Sequence, residues 1–76
     1  MGLNREVVAV LRERGRPCST IEIATVIMAK RGGTFTKRER SDLVRADDMS
    51  LRHIRRIGRV TSEQRELLAW WTLTSR

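Results

Sequence analysis

Arg52, Arg55, Arg56 and Arg59 crowd the second half of residues 47–59, DDMSLRHIRRIGR, where no acidic residue follows Asp48. Each guanidinium presents a planar fork of N–H donors that matches phosphate oxygens and guanine edges. Read as a helix at about 100° per residue, the stretch turns Leu51, Ile54 and Ile57 to one face and the four arginines to the other. Such a segment docks on a small core and holds a row of cations to solvent, as a helix entering a nucleic-acid groove must. A solvated face in a chain with 33% charged residues gives the same pattern, so the neighbouring sequence decides between the two.

Other chemistry has little to build from. The chain has one histidine, His53, and one cysteine, Cys18, with no G-x-S-x-G, P-loop, C-x-x-C or H-E-x-x-H motif. No enzyme, cofactor, metal site or small-molecule substrate is expected. His53, next to Arg52, reads as a surface or groove residue, and Cys18 as a small buried apolar one.

The net charge of +7 and a pI near 11.4 point to a polyanionic partner. Residues 1–36 carry six basic and three acidic groups, residues 37–59 eight and four, and residues 60–76 two and two. Fourteen of the sixteen basic residues are arginine, which a GC-rich genome would also produce. The longest apolar runs, 7–11 and 67–71, are far short of a membrane span, and the N-terminus shows no signal-peptide core. With one cysteine and no internal disulfide, a cytoplasmic setting is expected, nucleoid-associated if the polyanion is DNA.

Seventy-six residues suggest one small domain, 1–76. Asn4 is placed to cap a first helix, with Leu3 and Val8 at staple positions, Val7, Val8 and Leu11 buried, and Gly15 closing it. Arg16-Pro17 imposes an extended link. Ser19 and Glu22 form a capping box that opens a helix over about 20–30, with Ile23, Ala24, Ile27 and Met28 inward and Gly32-Gly33 ending it. A second box, Thr36 to Glu39, opens the next. Carried to Ile57 without a break, that helix would put Asp47 on its apolar face, a costly place for an unpaired carboxylate. The favoured reading is a break near Ala46, giving helices at about 37–45 and 48–57; one continuous helix is the alternative. Gly58 closes the segment. Strands at 59–62 and 66–74 are expected around a turn at 62–65, with Leu67, Trp71 and Leu73 facing the core and Trp70 less buried.

Helix, short link, capped helix, basic helix and hairpin is an order that resembles the winged helix-turn-helix family. The likeness is carried by LNREVVAVLRERGRPCSTIEIATVIM, by SLRHIRRIGRV, similar to a recognition helix running into a wing, and by WWTLT, similar to a last wing strand. It implies a mainly α fold with a small β-hairpin wing (α+β), of three or four helices, and sequence-specific binding of double-stranded DNA by a small bacterial or phage regulator. Two departures stand out: residues 31–48 run longer than in a compact member, and Arg59 replaces a common leucine. On this likeness the base-reading positions fall on Asp48, Met49, Ser50, Arg52 and His53. Arg55, Arg56 and Arg59 would meet phosphates, as would Arg65 from the wing, and Lys37, Arg38 and Arg45 complete the DNA-facing set. A homodimer stays open. The rival reading is a winged helix that grips an acidic protein partner. RNA is disfavoured, because the chain has no tyrosine and one phenylalanine for base stacking.

Overall fold

Each helix starts where a small polar residue or glycine precedes good helix formers. The computed structural model describes residues 2–74, with α1 at Leu3–Arg14, α2 at Thr20–Arg31 and α3 at Lys37–Arg56. Ser19 Oγ accepts from the Glu22 backbone N–H at 3.1 Å and opens α2. Thr36 and Glu39 form the full reciprocal box at the start of α3. In the second case both orphan donors are satisfied; in the first, the Glu22 carboxylate turns away to Arg16 at 2.5 Å. Gly15 closes α1 at φ 65°, a left-handed backbone that a side chain would resist.

Two expectations at α1 change. Gly2, not Asn4, is its N-cap, so Leu3 is inside the helix rather than at a staple position. Asn4 instead bonds across the core, where its Oδ1 accepts from Ser50 Oγ and ties α1 to α3.

The larger correction is α3, which is continuous over 20 residues with no break near Ala46. No proline or glycine interrupts residues 37–57, and unbroken helical phase stacks Leu43, Leu51 and Ile54 on one buried face. Asp47 therefore lands in that face, fully buried, with neither carboxylate oxygen partnered among the described residues. Burial, with the Asp48 charge beside it, pushes its pKa from 3.8 to about 7. A carboxyl that takes up a proton escapes most of the cost of a buried charge, and continuity survives.

The remaining elements are strands β1 (Cys18–Ser19), β2 (Val60–Arg65) and β3 (Leu68–Leu73), in one antiparallel sheet of order β1-β3-β2. The fold is thus mainly helical with a small sheet, an α+β arrangement. The hairpin turn is Glu66-Leu67, four residues beyond Ser62, where the expected turn began, because Val60 pairs with Leu73 and Arg65 with Leu68. Both turn residues have positive φ, 48° and 70°, the handedness that matches strand twist in a two-residue loop. Leu67 is consequently at the tip and 94% exposed instead of facing the core.

Trp71 is the hinge of the core. It is 2% exposed, pairs with Cys18 across the sheet, and its indole Nε1 donates to Thr20 Oγ1 at 2.9 Å. Around it gather Val7, Val10 and Leu11 of α1, Ile23 and Ile27 of α2, and Leu51 and Ile54 of α3. Trp70, on the other face, is half-buried. Cys18 is buried, and desolvation raises its thiol pKa. No helix among the described residues is long and apolar enough to cross a membrane.

Candidate functional site

One ridge of α3 collects the basic residues. With Leu43, Asp47, Leu51 and Ile54 inward, the 3.6-residue repeat sends Arg38, Arg45, Arg52 and Arg56 outward within about 40° of one another. All four are exposed. At about 1.5 Å per residue, Arg38 to Arg56 spans roughly 27 Å of helix. Met49, 67% exposed, lies between Arg45 and Arg52 on the same ridge, with His53 at its flank.

Charge is not equally available along this helix. Lys37, Arg38, Arg40, Arg45 and Arg56 have no carboxylate within ion-pair distance among the described residues. Arg52 is tied at 2.9 Å to Asp48, one turn back, in an exposed pair of small energetic weight. Arg55 is committed elsewhere. Its guanidinium donates to Ser62 Oγ at 2.8 Å and lies 5.5 Å from the centre of the Trp71 ring, bracing α3 against the base of the hairpin.

The other expected residues are scattered. Ser50 faces inward, 8% exposed and bonded to Asn4, because its position falls on the α1 side of the helix; it is not part of the ridge. Arg65 ends β2 next to the hairpin tip, where it pairs with Glu63 at 2.9 Å. Arg59 follows the helix and lies beside Arg12 of α1, away from the ridge.

Beside the ridge runs an open cleft of about 790 Å³ between α3, the start of α2 and the hairpin. Lys37, Arg40, Arg45 and Arg52 line its α3 side, and Gln64, Leu67 and Leu68 its hairpin side. Arg40 and Gln64 were not singled out from the sequence. The eight basic residues among residues 37–59 pointed to this segment, but only α3's continuity brings its first turn alongside the hairpin.

Chemically, the arrangement offers charge-assisted donors along a straight rod, flanked by a protruding hairpin. Among the described residues, no group of three His, Cys, Asp or Glu side chains could hold a metal ion. Comparisons with known protein families, with curated proteins and with solved structures find no match for this chain.

Proposed function

We propose that the chain binds double-stranded DNA with α3 in the major groove and the β2–β3 hairpin against the backbone, as a winged helix-turn-helix regulator would. The observation that carries this reading is the ridge of Arg38, Arg45, Arg52 and Arg56 on the solvent face of a single 20-residue helix. The element order α1-β1-α2-α3-β2-β3 with sheet order β1-β3-β2 is what a winged helix requires, and it supports the reading.

Helix length divides the work. A major groove about 12 Å wide is shorter than the roughly 27 Å between Arg38 and Arg56. The two ends then reach phosphates on the groove's walls, while Arg45, Met49 and Arg52 at the centre reach base edges. Asp48 holds the Arg52 fork in place before binding, and one exposed ion pair is lost when Arg52 turns to a base. The hairpin adds Arg65 and Gln64 near its tip.

The test is binding to a selected site and to random duplex across a salt series. Replacing Arg38 and Arg56 with alanine should weaken both duplexes alike and lower the slope of log K against log salt by roughly two, near one per lost phosphate contact. Replacing Arg45 or Arg52 should narrow the gap between the two duplexes, by about 1–3 kcal/mol for a bidentate guanine contact. Unchanged affinity in all four variants would overturn the assignment.

A second reading draws on the cleft. Ile21, Leu67 and Leu68 are exposed along it, and cations line its α3 side, which suits an acidic protein segment with apolar side chains. The share of that binding carried by apolar contacts falls far less with salt than phosphate contact does, so the same salt series separates the two.

A further inference from the structure

A second arginine cluster occupies a different part of the molecule. Arg5 and Arg12 stand seven residues apart on one stripe of α1, with Ala9 between them, and Arg59 of the α3–β2 connection lies across from them. Two clefts, of about 320 and 870 Å³, share Arg12 and Arg59, and neither is lined by any aspartate or glutamate. All three arginines are exposed, and none has a carboxylate partner among the described residues.

The backbone that carries the cluster is set before any ligand arrives. Arg59 is fixed through its backbone at both ends: its N–H donates to Ile54 O at 2.8 Å, and its carbonyl accepts from Thr74 N–H at 2.9 Å. α1 is rigid helix. Three arginines carried on fixed backbone without competing acid suit phosphate, and their spread over two clefts suits a chain of phosphates better than a single anion.

This cluster is not an extension of the α3 ridge. Ile54, which lines the smaller cleft beside Arg5 and Arg12, is on the buried face of α3, about 160–180° around the helix from Arg38, Arg45, Arg52 and Arg56. The α3–hairpin cleft shares no lining residue with either of the two clefts. A straight duplex seated on the ridge therefore has the body of α3 between it and Arg5, Arg12 and Arg59.

We propose that Arg5, Arg12 and Arg59 form a second phosphate-binding surface that holds a separate duplex segment, so that one chain bridges two. The proposal rests on the DNA-binding reading of α3. Its contacts go to backbone phosphate alone and carry no sequence preference.

The experiment uses the full chain, a bead-tethered duplex carrying the selected site and a free, fluorescent duplex of unrelated sequence. The wild-type chain should bind the beads and carry the fluorescent duplex onto them. The triple variant Arg5→Ala, Arg12→Ala, Arg59→Ala should still bind the tethered duplex but capture at least tenfold less of the free one. A second triple variant, with lysine at the same positions, should recover part of that capture and shows whether charge is what was lost. If the wild type binds the beads and captures nothing, the second surface is refuted while the α3 reading stands. Full capture by the alanine variant also refutes it, since two chains pairing through α3 would bridge without these arginines. A wild type that binds no duplex at all overturns both readings.

Discussion

Asp47 makes stability fall as pH rises, the opposite of the usual trend for a carboxylate. Its side chain is fully buried between Leu43 and Leu51 with no partner for either oxygen among the described residues. Burial first, and the neighbouring Asp48 second, raise its pKa from 3.8 to about 7. The folded form thus keeps a proton that the unfolded chain releases. Stability from this group is fully present below pH 3.8, falls between there and about pH 7, and is flat above. At 1.36 kcal/mol per pH unit, that interval is worth about 4 kcal/mol. A chain of this length has roughly 4–11 kcal/mol in total, so the effect is a major share of it. Asp47→Asn keeps the shape and removes the titration. Urea melts followed by tryptophan fluorescence, at pH 4.5 and pH 8, should show the wild type losing several kcal/mol and the asparagine variant nearly level. At pH 8 the variant should be the more stable protein. Glu6 and Glu63 act the other way, because Arg31 and Arg65 lower their pKa values, but both are present in the two proteins and cancel. A wild type as stable at pH 8 as at pH 4.5, with the variant no better, would show that the Asp47 carboxylate is hydrated or paired and that the buried-acid argument is wrong.

Three further outcomes follow from the packing. Trp71→Ala should cost roughly 3–5 kcal/mol, against well under half of that for Trp70→Ala, and equal losses in thermal melts would refute the strand register. Glu66→Asn combined with Leu67→Gly should raise stability by about 1–2 kcal/mol, since both residues hold left-handed backbone that the replacements favour; a lower melting temperature would refute the turn assignment. Arg55→Ala should cost about 1–2 kcal/mol of stability through the lost Ser62 bond and the contact with the Trp71 ring. Its salt slope for DNA binding should match wild type, and a slope lower by about one would return Arg55 to the phosphate contacts.

What the sequence made legible was local. Ser19 and Thr36 announce their helices because a cap is defined by residues three apart, and Trp71 follows from alternation along one strand. The misread stretches depend on contacts between distant residues or on a change of protonation. A helix break near Ala46 follows from treating Asp47 as a full charge, whereas burial raises its pKa to about 7, so that it is largely uncharged below neutral pH and α3 continues. The hairpin turn carries glutamate and leucine in place of asparagine and glycine, so no residue type marks it; the pairing of Val60 with Leu73 sets it instead. Of the site, the basic face of residues 47–59 was visible and Lys37, Arg38 and Arg45 were placed in the same set, but not how they line up with it. Arg38 and Arg45 join Arg52 and Arg56 in one line only because the helix does not stop. Arg55 leaves that set because Trp71, sixteen residues later, lies beneath its guanidinium.

The sheet order has a consequence for how the protein is made. β3 comes after every other described element in the chain, yet it is the middle strand, and its Trp71 fills the core that all three helices face. While a ribosome is still short of Leu73, α1, α2 and α3 can meet one another, but the place that Trp71 fills among them stays open. Val7, Ile23, Ile27 and Leu51 therefore lack one of their core neighbours until β3 emerges and pairs with β1 and β2. The sheet and the core are complete only once β3 has joined them, and until then the apolar faces of the helices are more open to proteases and to misassociation.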